Sequence, residues 1–162
     1  MRNHSDEKSA LEEAAINIFI DLYNFNRQDD LKVVEKQECP DYILKNKKED
    51  LIGIEVTHLF YDAEEAKMLL DRSNKELHGL EDSTNYIGTL NKLLKQKEKK
   101  IDKYDAIYPI ALLIRNASPV YGMSDFLKYK SVIYKPEKYC HIWFVSKDGN
   151  NNEWLLKDLL TD

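Results

Sequence analysis

At 162 residues, with 43% hydrophobic and 33% charged side chains, the chain has the length for one domain with a substantial core and the balance of a soluble globular protein. No run approaches the roughly 18 apolar residues of a membrane span, and the charged start MRNHSDEKSALEE lacks an apolar signal region, so a cytoplasmic protein without a membrane partner is expected. The net charge of −5 argues against a protein that coats nucleic acid.

Residues 1–8 are expected to fray, leaving 1–162 as a single domain. Ser9 can cap a helix running to about Asn24, with Glu12 completing a capping box. At 100° per residue, Leu11, Ala14, Ala15, Ile18, Phe19, Leu22 and Tyr23 form its apolar face, and Asn17, Asp21 and Asn24 its polar one. Glu12 falls inside the apolar arc. It is therefore either the capping partner or an inward acid. A strand over Leu31–Glu35 follows.

The stretch Cys39–His58 reads as two strands joined by a charged turn, Lys45–Asp50. On the returning strand Ile52, Ile54 and Val56 share one face, and Leu51, Gly53, Glu55 and Thr57 the other. A carboxylate thus sits mid-strand in a segment otherwise fit for burial, which costs several kcal/mol unless a cation or donors meet it. Asp41, at the head of the preceding strand, is placed to be its neighbour. Two converging carboxylates repel, and a divalent cation removes that conflict. The alternative is a plain hairpin, with Asp41 capping a turn and Glu55 facing water.

Residues 62–77 are helix-prone, and 79–83 make a break without a linker or repeat. From Thr84 to Lys103 a further helix carries Ile87, Leu90, Leu94, Ile101 and Tyr104 at three- and four-residue steps, and Lys97 fills the missing place in that stripe. A lysine on a buried line either snorkels to the edge or meets an acid. Gln96 and Lys100 are the candidates if the phase is off by one. The apolar run Tyr108–Ile114 suits a strand covered on both faces. After it come a loop at 115–119, a short helix at 124–129, a strand at 138–146, a turn at 147–150 and an amphipathic helix from Glu153 to Leu160. The order gives an α/β protein, a mixed central β-sheet flanked by helices.

Pro40-Asp41, a hydrophobic strand, a turn, and a strand bearing Glu55-Val56-Thr57 together resemble the core of the PD-(D/E)xK nuclease superfamily. The resemblance implies a restriction-endonuclease-like fold and a metal-dependent nuclease hydrolysing phosphodiester bonds. It implies that Asp41 and Glu55 hold Mg²⁺ (or Mn²⁺), with the Val56 carbonyl as a further ligand. Glu12 matches a glutamate often carried on the preceding helix, reaching the ion through a water. The chain departs from the family at Thr57, which stands where a lysine two residues after the glutamate helps activate water. A hydroxyl cannot carry that charge. Related nucleases sometimes move the lysine to the following helix, which makes Lys97 the substitute.

Two other readings stand beside this one: a catalytically inactive nuclease-like domain acting as a binding or regulatory protein, and an interaction protein of unrelated α/β fold. The lysines from Lys92 to Lys103 offer a local basic surface to nucleic acid, or simply a solvated helix face. A homo-oligomer is compatible with the sequence. Cys39 and Cys140 lack metal-binding spacing; each is expected as a buried free thiol, with a disulfide left open. His4, His58, His78 and His141 make no zinc-like pair, and neither a phosphate loop nor a Gly-x-Ser-x-Gly motif is present. The ten tyrosines either stack on bases or sit half-buried in strands and helices.

Overall fold

Apolar, β-branched strands at the middle of the chain and charged ones at its flanks assemble as one sheet of six strands. A computed structural model describes residues 4–59, 85–104, 107–118, 120–149 and 151–161. Among these, helix α1 (His4–Arg27) precedes β1 (Lys32–Lys36), β2 (Tyr42–Lys45) and β3 (Leu51–Leu59). Helix α2 (Asn85–Ile101) precedes β4 (Ile110–Asn116), and a short α3 (Met123–Leu127) precedes β5 (Ile142–Asp148) and β6 (Asn151–Asp158). The expected helix over 62–77 and the break at 79–83 lie outside the described residues.

The strands stand in sequence order, β1 to β6. β1, β2 and β3 form an antiparallel meander, β3–β4 and β4–β5 are parallel, and β5–β6 is antiparallel. The parallel pairs follow from their long connections, since only a crossover returns the chain in the same direction. The sheet is therefore mixed, as expected.

Alternation along β3 divides the core in two. Ile54 and Val56 pack with Ala15, Ile16 and Phe19 of α1, whereas Leu59 packs with Ile87, Leu90 and Leu94 of α2. β4, buried at Ile110 through Ile114, contributes Ala111 and Leu113 to the first layer and Leu112 and Ile114 to the second. Its near-continuous apolar run thus reflects a strand covered on both faces. The outer strand β1 is exposed along its whole length, and Lys32, Glu35 and Lys36 charge that edge.

Three expectations need correction. The first helix begins at His4, so Ser9 lies inside it and the capping box with Glu12 does not form. Its buried line also runs through Ile16, while Ala14 is exposed. Residues 153–158 lie in strand β6 instead of a helix, because Asp148 pairs with Asn151 and β6 runs back antiparallel along β5. Gly149 stands there at φ +56°, a conformation that favours glycine. Finally, Cys39 and Cys140 are free, as allowed, but exposed. Among the described residues no helix is long and apolar enough to cross a membrane.

Gly53 is fixed by close approach. A Cβ there would lie 2.7 Å from Ile110 Cδ1, 2.7 Å from Pro40 Cγ and 2.9 Å from Tyr108 Cε2. Overpacking of this kind costs about 1–3 kcal/mol. Gly53→Ala is accordingly expected to lower the free energy of unfolding by that amount, read in urea as a lower midpoint with the slope unchanged.

Candidate functional site

The pairing of β2 with β3 brings the two acids together. Tyr42 lies opposite Ile54, and both belong to the α1 layer. Glu55, one residue later on β3, faces the other layer, and Asp41, immediately before β2, lines the same cleft as Glu55. Asp41 Oδ2 accepts the Val56 N–H at 2.8 Å, which ties it to β3. The cis Cys39–Pro40 peptide bond immediately precedes it.

Glu55 is 6% exposed, so the plain hairpin with a water-facing glutamate does not describe this strand. Lys97 sits on the buried line of α2, and its Nζ lies 3.4 Å from Glu55 Oε1. That is a close ion pair, longer than the ~2.7–2.9 Å of a tight charge-assisted bond. Its neighbours Lys92, Lys95, Lys99 and Lys100 are exposed. The Tyr139 hydroxyl, 2.9 Å from Glu55 Oε2 and 3.0 Å from the Lys97 carbonyl, closes a buried network linking β3, α2 and the segment before β5. Burial, followed by the charge and hydrogen bonding of Glu55, pushes the Tyr139 pKa far up. Tyr104, one helical step beyond Ile101, is raised by burial and by Glu55 in the same way. Thr57 is buried two residues further along the same strand face.

These side chains line a cleft of about 350 Å³ bounded by Lys8, Glu12, Glu38, Asp41, Glu55, Val56, Lys97, Lys100, Lys103 and Tyr104. Four acids and four amines share it. Glu12, 8% exposed, pairs with Lys8 at 4.0 Å across one turn of α1. Among the described residues, however, no three His, Cys, Asp or Glu side chains are grouped to hold a metal ion together. Glu12 therefore contributes charge to the cleft without joining Asp41 and Glu55 in one set.

The electrostatics fall on Asp41. Its pKa is raised to about 6, chiefly by burial. The charges of Glu12 and Glu55 add to the rise; the Val56 N–H and the Lys97 ammonium oppose it. A carboxylate has about four lone-pair sites, and the described residues supply Asp41 with one donor, from Val56. Hard oxygen donors with spare lone pairs and unrelieved negative charge are the chemistry a small divalent cation favours. Of the two acids, Asp41 is the less satisfied, since Glu55 is already shared between Lys97 and Tyr139.

Of the residues singled out by sequence, Asp41, Glu55, Val56, Lys97, Glu12 and Lys100 all border this one cleft. Gln96 is exposed and does not line it. The sequence marks Tyr104 as the end of the α2 stripe through Ile101, whereas Tyr139 is legible only as one of the tyrosines that either stack on bases or sit half-buried. His58, on the α1 face, takes a hydrogen bond on Nδ1 from Arg115 Nε at 3.2 Å. Burial, with the charges of Arg115, Lys8 and Lys97, lowers its pKa to about 4. His141 Nδ1 lies 2.7 Å from Asp158 Oδ2, joining the start of β5 to the end of β6.

No protein-family model, no curated protein and no solved structure matches this chain.

Proposed function

We propose that the chain is a restriction-endonuclease-like, metal-dependent phosphodiester hydrolase acting in the cleft between β3 and α2. The observation that carries this reading is the convergence of Asp41 and Glu55 from adjacent strands, with the Lys97 ammonium 3.4 Å from Glu55. A Mg²⁺ or Mn²⁺ ion held by Asp41, Glu55 and the Val56 carbonyl would polarise the scissile phosphate and lower the pKa of a bound water. Lys97 supplies fixed positive charge where negative charge develops on the phosphate, the role that Thr57 cannot fill. The Tyr139 hydroxyl holds Glu55 in place from behind, and Tyr104 lines the cleft beside it. Lys8, Lys100 and Lys103 at its rim attract a phosphate backbone despite the acidic total charge.

The test is cleavage of DNA and RNA, single- and double-stranded, in Mg²⁺ or Mn²⁺. Activity lost with EDTA and with Asp41→Ala supports the reading; no cleavage of any substrate under either ion removes it. Metal affinity carries a second signature. Because Asp41 titrates near 6 and only its ionised form binds a cation, affinity is expected to be constant above about pH 7 and to fall up to tenfold per unit below 6.

One observation favours a second reading. Both Glu55 oxygens already have partners, in Lys97 and Tyr139, and the strand lysine is replaced by Thr57. A catalytically inactive nuclease-like domain that binds nucleic acid or a regulatory partner accounts for so closed a network. It predicts nucleic-acid binding in a gel-shift assay that is insensitive to EDTA and unaccompanied by cleavage.

A further inference from the structure

A second cleft, of about 310 Å³, opens at the carboxyl ends of the parallel strands β4 and β5. Arg115 from the last turn of β4 and Lys147 from the end of β5 line it, and no acidic residue does among the described residues. No described carboxylate pairs with either cation. Arg115 is half-buried, and its Nε donates to His58 Nδ1 at 3.2 Å. That neutral acceptor fixes the guanidinium without cancelling its charge, and the two terminal nitrogens keep their donors.

Lys147 is exposed, and its Nζ lies 5.1 Å from the centre of the Trp154 ring, which also borders the cleft. Ser118 Oγ accepts the N–H groups of Val120 at 3.1 Å and Tyr121 at 3.0 Å, so its own proton is free to be donated. The wall behind is tied by hydrogen bonds. Buried Asn116 accepts the Ser118 N–H and donates to the Tyr121 carbonyl and to Ser146 Oγ. Asp148, next in the chain, is turned away to Ser124.

Two cations without a carboxylate partner among the described residues and a hydroxyl with a spare proton thus share one cleft in a chain whose net charge is −5. We propose that Arg115, Lys147 and Ser118 form a phosphate-binding site at the carboxyl ends of β4 and β5, distinct from the carboxylate cleft. The guanidinium and ammonium match a phosphate's charge, and the planar fork of Arg115 suits two of its oxygens. This site does not depend on the hydrolase reading, since none of its residues lines the carboxylate cleft.

The phosphate's source, a free metabolite or a strand end, is separated by three probes: inorganic phosphate, AMP and a 5′-phosphorylated oligonucleotide, each with its unphosphorylated counterpart where one exists. Calorimetry at near-physiological salt is expected to register binding of at least one phosphorylated probe over its counterpart, with a change in Trp154 fluorescence. Lys147→Glu, at an exposed position that folding does not need, is expected to weaken it about tenfold or more, and Ser118→Ala by a smaller factor. Binding of AMP assigns the site to small phosphates, and binding of the oligonucleotide alone assigns it to a strand end. The proposal falls if no phosphorylated probe binds, or if Lys147→Glu leaves the affinity unchanged.

Discussion

Replacing Lys97 with methionine is expected to destabilise the protein by about 3 kcal/mol, because it leaves Glu55 buried without its counter-charge. Both side chains are well shielded, at 14% and 8% exposure, so solvent screens the pair little. The loss falls at the low end for a broken buried pair since the Tyr139 hydroxyl still donates to Glu55. The double variant Lys97→Met/Glu55→Gln should recover most of that stability, which a double-mutant cycle in urea measures. Hydrolysis, in contrast, should not recover. If Lys97 stabilises developing charge, Lys97→Met loses about 10²–10³-fold in turnover, and the double variant, which also lacks the Glu55 carboxylate, loses at least as much. A Lys97→Met variant that keeps its turnover would make Lys97 purely structural.

Asp41→Asn is expected to raise stability while abolishing cation binding. The sign follows from the direction of the shift. A carboxyl whose folded pKa is raised from 3.8 to about 6 favours the folded state below pH 3.8, and that contribution is lost as pH rises through 6. At pH 8 the ionised Asp41 therefore opposes folding, facing Glu12 of α1 and Glu55 of β3 with Lys97 of α2 as partial relief. Asparagine keeps an oxygen for the Val56 N–H but carries no charge. Discounted for its partial exposure, the gain is on the order of 1 kcal/mol at pH 8 and vanishes near pH 4. A gain in stability at the cost of binding is the mark of a residue retained for function. Equal stability at both pH values would show that Asp41 carries no such load.

Much of this arrangement could be read from period alone. The two-residue alternation of Ile52, Ile54 and Val56 put Glu55 on the other face, and the helical stripe of Ile87, Leu90, Leu94 and Ile101 put Lys97 on the buried line. Those two phases suffice to bring the pair together across α2 and β3. Period failed where a local pattern was ambiguous. Trp154, Leu155 and Leu156 fit either an amphipathic helix or an outer strand, and the Asp148-Gly149 turn that decides for the strand was seen without its consequence. Ser9 and Glu12 matched a capping box that a helix starting at His4 makes irrelevant. Tyr139 escaped because its hydroxyl meets Glu55 from 84 positions away, a partnership no local pattern encodes. The cleft's depth and the Asp41 pKa likewise depend on three elements distant in sequence.

Calorimetric titration of the intact chain with Mn²⁺ at pH 8, beside Asp41→Asn, addresses the shared cation most directly. One binding event is expected in the parent, absent from the variant and weaker below pH 6. Silence in the parent, or equal binding by both proteins, would contradict it and leave Asp41 and Glu55 as parts of a scaffold.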